Sequence, residues 1–327
     1  MEFAQKLVEK NIFSVIGKAL GKLQEESESN TIEDRTKTIL KINLEEVLFF
    51  VVQLKLNSFA DFLKSSPDEK ILFAGIINNI FYGDQGLQIQ TTELLKYVID
   101  PMHERKIELL DYFYDNYLPK FLTHYNQMLQ TEQFYSFVQQ YIELLIYCVK
   151  SHGYRIRHYI IHHKLILSLY KGFDSPEKSI ALALIRLIKN IVLGKDEFLI
   201  KHIAEKNLLD QIFEVYLKNA RKNNLINSSC LELFEIIRKE NAKKLIINFV
   251  ERYKERIKEF QLEKTFEKLF IKYEQITEGA NPEGSLPNQE NEVANTKLAS
   301  SSIMYNLYFN LLKSLDLKIS KIIIQES

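Results

Sequence analysis

Residues 160–191, IIHHKLILSLYKGFDSPEKSIALALIRLIKNI, and residues 203–237, IAEKNLLDQIFEVYLKNARKNNLINSSCLELFEII, carry one apolar pattern twice. The first half of the pattern recurs after 43 residues and the second half after 46. The spacing within each half is helical. The matched pairs are Ile160 and Ile203, Leu165 and Leu208, Ile166 and Leu209, Leu169 and Ile212, Tyr170 and Phe213, Phe173 and Tyr216, then Leu184 and Cys230, Leu187 and Leu233, Ile188 and Phe234, and Ile191 and Ile237.

These offsets fall within the roughly 40 to 47 residues of HEAT and armadillo units. A helix pair of this size cannot bury its apolar face alone, so such units stack into a solenoid with a concave binding surface. The alternative is a chance likeness between two ordinary helical hairpins. The pattern therefore predicts an all-α, armadillo/HEAT-like helical-repeat solenoid.

The rest of the chain is compatible with long helices. Ten Gly, six Pro and no Trp in 327 residues are too few turn formers for a β-sandwich or barrel. Pro119 should kink the helix that contains it. Apolar residues at helical spacing predict helices over residues 1–23, 39–56, 58–64, 71–81, 87–99, 105–128 and 131–150.

The predicted domain boundaries follow a change in composition. Residues 1–276 should form the repeat domain, and residues 277–300 a disordered linker that begins TEGANPEGSLPNQENEVAN. Residues 301–327 should form a C-terminal amphipathic helix or tail, although Leu315, Leu317 and Ile319 also fit a strand.

Charge and cysteine content indicate the cellular environment of the protein and the partners that it would not attract. Lys plus Arg equal Asp plus Glu, so no global field would attract nucleic acid or an anionic membrane. Only Cys148 and Cys230 are present, which fits a reducing compartment. Charged residues throughout residues 1–20 argue against a signal sequence. We expect a soluble intracellular protein.

The sequence offers no catalytic motif. Residues 17–22, GKALGK, are one residue short of a phosphate-binding loop, and no G-x-G-x-x-G or G-x-S-x-G run exists. His103 and Glu104 lack the second histidine of a zinc protease. We therefore predict no catalytic residues, no cofactor and no metal.

Three groups of charged or aromatic residues are better explained by a structural role than by ligand binding. His158 and His162 could share a metal, but a third ligand is missing, so a basic helix with His152, His163, Arg155, Arg157 and Lys164 is favoured. Tyr114, Tyr117, Phe121 and Tyr125 read as a buried stripe and not as a base-stacking platform. The basic residues of 243–258 alternate with Glu251, Glu255 and Glu259, which indicates a salt-bridged, solvated helix.

Several motifs resemble regulatory subunit 3 of protein phosphatase 4, the SMEK/Falafel family. The most specific is residues 181–198, ALALIRLIKNIVLGKDEF, which is similar to the family's core motif. The resemblance covers about residues 94–276 and, more loosely, 59–90. The other motifs in family order are Leu94, Ile99, Asp100 and Pro101, then residues 147–161 (YCVKSHGYRIRHYII), Asn207, Leu208, residues 224–238 (NLINSSCLELFEIIR) and residues 272–275 (KYEQ).

The resemblance implies a non-catalytic role in the nucleus and the cytoplasm. Such a core joins the protein phosphatase 4 catalytic subunit and a second regulatory subunit. Family members also carry a pleckstrin-like domain that captures proline-containing motifs, and no segment here matches it. The alternative to this reading is a general helical-repeat adaptor of another pathway.

A partner-binding surface is predicted at the ends of the inner helices. Lys195, Asp196, Glu197 and Phe198 follow one inner helix in what should be an exposed loop, because unpaired buried charges are costly. Asn224, Asn227 and Ser228 begin the next inner helix, and the two asparagines could equally be helix caps.

Overall fold

The computed structural model describes residues 2–25, 32–66, 68–102, 106–128, 134–220, 222–259 and 264–278, and every regular element within them is helical. The predicted all-α fold is confirmed. The helices are α1 Glu2–Glu9, α2 Ile12–Glu25, α3 Ile32–Leu54, α4 Leu56–Ser65, α5 Glu69–Tyr82, α6 Gln85–Val98, α7 Lys106–Asn116, α8 Leu118–Met128, α9 Phe134–Ser151, α10 Tyr154–His162, α11 Leu165–Leu169 with a 3-10 turn Tyr170–Asp174, α12 Lys178–Leu193, α13 Glu197–Glu205, α14 Leu209–Leu217, α15 Leu225–Lys239, α16 Lys243–Glu259 and α17 Lys264–Glu278.

The helices group in threes from the N-terminus, as in armadillo units. The third helices of successive units pack side by side in the order α3, α6, α9, α12 and α15, and α17 packs on α15. The first helices α10, α13 and α16 form a second row. Each unit thus shares its apolar faces mainly with its neighbours, which is how a solenoid buries its core.

The joints between helices repeat with the spacing of the sequence pattern. Lys164 and Asn207 follow the first helices of two successive units with φ of 50° and 53°. Lys195 and Asn241 follow the third helices of the same units with φ of 54° and 52°. The pairs lie 43 and 46 residues apart, and a left-handed residue just after a helix is a common C-terminal stop.

The predicted aromatic stripe is largely part of the core. Tyr117, Phe121 and Tyr125 are buried, and Tyr114 is half-buried. The hydroxyl of Tyr125 donates to the carbonyl of Leu169 in the next unit at 2.6 Å. These side chains therefore join successive units.

Two predicted helices are divided in the structure. The N-terminal segment breaks at Asn11, which has a φ of 56°. The segment 105–128 breaks at Tyr117, two residues before Pro119, so that the proline occupies the first turn of α8. Its ring and missing N–H are tolerated there, whereas inside one long helix they would disrupt a turn.

The predicted boundary between repeat domain and linker falls near the end of α17. Helix α17 continues to Glu278, so the first two residues of the predicted linker are helical. The rest of that linker and the predicted C-terminal helix lie outside the described residues. Among the described helices, none combines the length and hydropathy that a membrane span requires.

Candidate partner-binding surface

Lys195 turns the chain between α12 and α13. Gly194 caps α12 in a right-handed conformation, and Lys195 takes the left-handed position after it. The Lys195 side chain is exposed, and its Nζ lies 2.7 Å from Oε2 of Glu240 at the end of α15. The loop is therefore solvent-facing and also touches the next unit.

Asp196 has a structural role in this loop. Its Oδ1 accepts hydrogen bonds from the backbone N–H groups of Phe198 and Leu199, both at 3.0 Å, and so caps α13. Its Oδ2 lies 3.0 Å from Nη1 of Arg157 in α10, and both side chains are about three-quarters buried. Asp196 thus fixes the start of one helix to the preceding unit.

Arg157 lies between two exposed aromatic rings. Its guanidinium carbon is 5.3 Å from the ring centroid of Tyr154 and 4.5 Å from that of Phe198, within cation–π range. Tyr154 is 67% exposed and Phe198 is 63% exposed. We call Tyr154, Arg157 and Phe198 the aromatic–arginine cluster.

Of this cluster, only Phe198 is among the residues predicted from the sequence to bind a partner. Arg157 was predicted to belong to a basic helix, and Tyr154 was given no role. The 43-residue offset could have found Tyr154, because it places this residue level with Glu197, beside Phe198.

A cleft of about 410 Å³ opens on the other side of α13. Glu197 and Ile200 line it from α13, and Lys243 and Lys244 line it from the start of α16. Glu197, Lys243 and Lys244 are all exposed. The cleft thus continues the surface of the aromatic–arginine cluster with charges of both signs.

Asn224, Asn227 and Ser228 form the cap of α15. The Asn224 Oδ1 accepts from the backbone N–H of Asn227 at 2.9 Å, and the Ser228 hydroxyl donates to the Asn224 carbonyl at 3.3 Å. Asn227 is buried, and its Nδ2 donates to the carbonyl of Lys222 at 3.2 Å. Asn224 is therefore the helix cap, whereas the Asn227 side chain holds the segment that precedes the helix.

The seven predicted residues do not come together. Helices α12 and α15 run parallel, since Lys189 contacts Glu232 and Lys195 contacts Glu240. Lys195 therefore lies at the C-terminal end of α15, whereas Asn224 lies at its N-terminal end. Helix α15 has 15 residues, which separates the two groups by about 22 Å.

The histidines do not form one patch. The rings of His158 and His162 stack with centroids 5.4 Å apart on the exposed side of α10. His152 is buried elsewhere, with Tyr114 Oη 2.9 Å from its Nδ1 and the Ile99 carbonyl 3.0 Å from its Nε2, and burial lowers its pKa to about 4. The described residues contain no cluster of three His, Cys, Asp or Glu side chains suited to a metal ion.

The basic face of α16 joins neighbouring helices. Arg256 Nη1 lies 2.6 Å from Glu214 Oε1 in α14, and Arg252 pairs with Asp210 of the same helix. These pairs are solvated, as predicted, but the carboxylates come from α14 and not from α16 itself.

The family model of phosphatase 4 regulatory subunit 3 matches residues 1–275. Suppressor of Mek1 from Dictyostelium discoideum is 30% identical over 258 residues, which cover 71% of this chain and 24% of that protein. Serine/threonine-protein phosphatase 4 regulatory subunit 3 from Drosophila melanogaster is 26% identical over 216 residues, 62% of this chain and 22% of that protein.

A mouse relative, Protein PPP4R3C1, is 34% identical over 134 residues, 41% of this chain and 16% of that protein. No solved structure matches. The chain thus spans about a quarter or less of the length of these relatives. The family match reaches residue 1 and so extends beyond the motifs that first indicated it. The chain belongs to the phosphatase 4 regulatory subunit 3 family.

Proposed function

We propose that this chain is a non-catalytic regulatory scaffold of a serine/threonine protein phosphatase 4-type complex. In this role it binds the phosphatase catalytic subunit and a second regulatory subunit and works in the nucleus and the cytoplasm. Family membership supports the phosphatase assignment, and the stacked units supply the extended surface that a scaffold needs.

The aromatic–arginine cluster is the observation that supports a binding surface here. Tyrosine and arginine are common among the residues that contribute most to protein interfaces. Arg157 is already held by Asp196 and by the rings of Tyr154 and Phe198, so less conformational entropy is lost when a partner covers it. The two rings, both more than 60% exposed, present apolar area without rearrangement.

The cleft beside α13 fits the polar rim of such an interface. Protein interfaces surround a buried centre with solvated polar groups. Glu197, Lys243 and Lys244 provide these groups around Ile200. We therefore assign the catalytic subunit to the row of first helices, with Phe198 near the centre of the contact.

Capture by purified phosphatase 4 catalytic subunit tests this assignment. Phe198→Ala should weaken capture at least tenfold, which corresponds to about 1.4 kcal/mol. Its melting temperature should stay close to wild type, because Phe198 is largely exposed. Leu225→Ala is the matched control, since Leu225 is 72% exposed at the other end of α15.

Charge reversal separates the cleft from the ring contact. Glu197→Lys should also weaken capture, whereas Glu205→Lys at the far end of α13 should not. Unchanged capture by both Phe198→Ala and Glu197→Lys would refute the assigned surface.

The regulatory role and the localisation are tested separately. The purified chain should release no phosphate from a phosphorylated peptide unless the catalytic subunit is added. Tagged chain should be found in both nuclear and cytoplasmic fractions.

A further inference from the structure

Helix α3 has a long apolar face that is open to solvent. Ile39, Leu40, Val47, Phe50 and Leu54 are between 39% and 57% exposed. Large exposed apolar residues that lie together mark interaction sites more often than single ones do. This face contrasts with the core side of the same helix, where Leu48, Val51 and Val52 are fully buried.

The spacing of these residues is that of a helix–helix contact. Leu40, Val47 and Leu54 are seven residues apart, and Phe50 lies three residues after Val47. Asn43, also exposed, takes the corresponding place after Leu40. Repeats of seven with this three-residue step form a seam when two helices pack at a small angle. We call Leu40, Asn43, Val47, Phe50 and Leu54 the α3 seam.

The position of α3 in the row explains why its seam is open. Helix α12 has a third helix on each side, since Arg186 contacts Glu143 of α9 at 2.5 Å and Lys189 contacts Glu232 of α15. Helix α3 has α6 on one side, where Gln90 Nε2 donates to the Ile42 carbonyl. Within the described residues no third helix of another unit lies beyond it. The seam occupies the place where the row would continue.

The two ends of the row differ in chemistry. The exposed residues of α17 are polar except Ile271: they are Lys264, Glu267, Lys268, Glu274, Gln275, Thr277 and Glu278. Polar outer faces of this kind normally close the ends of a repeat array. An α3 seam placed against α17 of another copy would bury charges against apolar groups, which is costly. An α3 seam placed against a second α3 seam buries apolar groups together.

We propose that the α3 seam is a homodimer interface in which α3 of one chain packs on α3 of a second copy. A contact between identical faces closes after two chains and leaves no open end. The seam contains no charged residue, so this contact buries no unpaired charge. Val47 and Phe50, at the middle of the seam, lie next to the two-fold axis.

Sedimentation of the full chain at low and high micromolar concentration tests the proposal. The wild-type chain has a mass of 38.5 kDa, and the mass obtained from its sedimentation at the higher concentration should be twice that value. Phe50→Asp should sediment as a monomer at both, because dimerisation would bury its charge, and its circular dichroism should match wild type. Leu225→Asp, which places the same charge on an exposed apolar position outside the seam, should leave the dimer intact.

A cysteine at the middle of the seam provides a second measurement. Val47→Cys should form a disulfide-linked dimer with oxidised glutathione, because the two copies meet there. Val15→Cys, exposed on α2, should not, and the native Cys148 and Cys230 are buried. A wild-type chain that is monomeric throughout, or a Phe50→Asp dimer like wild type, overturns the proposal. If such a monomer also loses phosphatase capture on Phe50→Asp, the seam belongs to a different partner.

Discussion

Glu45 is a fully buried carboxyl group between α3, α5 and α6. Its Oε1 accepts from Asn79 Nδ2 at 2.7 Å, and its Oε2 lies 2.5 Å from Thr91 Oγ1. The same Thr91 hydroxyl lies 2.7 Å from the Leu87 carbonyl and has one hydrogen for two acceptors. A protonated Glu45 resolves this competition, because it donates to Thr91 while Thr91 donates to Leu87. Burial accordingly raises the Glu45 pKa to about 7.

This raised pKa makes stability depend on pH. The folded chain holds the Glu45 proton more tightly than the unfolded chain, whose pKa is near 4.5. The resulting stability is complete below that value and is lost as the pH rises through about 7. The loss is on the order of 3 kcal/mol, since each pKa unit corresponds to about 1.4 kcal/mol. Glu45→Gln keeps the neutral hydrogen bonds and should remove this loss.

Urea unfolding of wild type and Glu45→Gln at about pH 5 and about pH 8 measures the effect. The free energy of unfolding of Glu45→Gln minus that of wild type should be larger at the higher pH than at the lower pH. Burial lowers the pKa of His124 and of His152 to about 4, and such a shift favours the folded chain as the pH rises. Both proteins contain these histidines, so their contribution cancels in the difference between the two free energies of unfolding. Parallel pH profiles would mean that Glu45 is ionised in the folded chain at neutral pH.

The burial of individual side chains is what could not be predicted from the sequence. His152 was grouped with His158 and His162 because it is close to them in sequence. Its environment is set by Tyr114 and Ile99, which are 38 and 53 residues away. Contacts of that range depend on how units stack, and local spacing carries no information about them.

At the scale of one element, Asp196 decides how α13 begins. Asp196→Ala removes a helix cap and the contact with Arg157, and should lower the free energy of unfolding by about 1 to 2 kcal/mol. Asp196→Asn retains a cap oxygen and loses the charge, so its cost should be less than half as large. Denaturant unfolding of both variants measures the two contributions.

The same two variants connect the element to binding. Loss of the Asp196 contact frees Arg157 and loosens the aromatic–arginine cluster, so capture should fall for Asp196→Ala at temperatures where the chain stays folded. Asn224→Ala is the matched control, because it removes the cap of α15, away from the cluster. Equal capture losses for the Asp196→Ala and Asn224→Ala variants would attribute the effect to general destabilisation.

Element types were predicted better than element ends. The repeated apolar spacing predicted the helices of the last units, and the 43- and 46-residue offsets reappear in their joints. The break at Asn11 was missed, and the kink expected from Pro119 is a full break at Tyr117, because the apolar stripe continues across both positions. A stripe reports which face is buried, whereas a break depends on a single left-handed residue or on a proline's ring.

At the scale of the whole molecule, the sequence predicted that helices stack but not which ends meet. The predicted site placed residues 195–198 beside residues 224–228 because one segment closes an inner helix and the other opens the next. The parallel third helices instead put them at opposite ends of α15. Tyr154 and Arg157 joined the site only through the row of first helices, which no single helix pattern contains.

Because the units are stacked, a destabilising substitution at one end of the row should affect mainly the units at that end. Phe213 is fully buried, and its ring centroid lies 5.1 Å from that of Phe249 and 5.7 Å from that of Phe266. Phe213→Ala should cost about 3 to 5 kcal/mol through the cavity it leaves. Because units contact mainly their neighbours, this loss should act on α13 to α17 and scarcely on α1 to α6.

Hydrogen exchange read by mass spectrometry distinguishes local from global loss. Phe213→Ala should speed exchange in the last units, and the matched variant Phe73→Ala should do so in the first ones. Phe73 is suited to this comparison because it is equally buried, and its ring centroid lies 4.3 Å from that of Tyr117. If either variant instead speeds exchange evenly along the chain, the units unfold together, and the cohesion between neighbouring third helices exceeds the cost of the cavity.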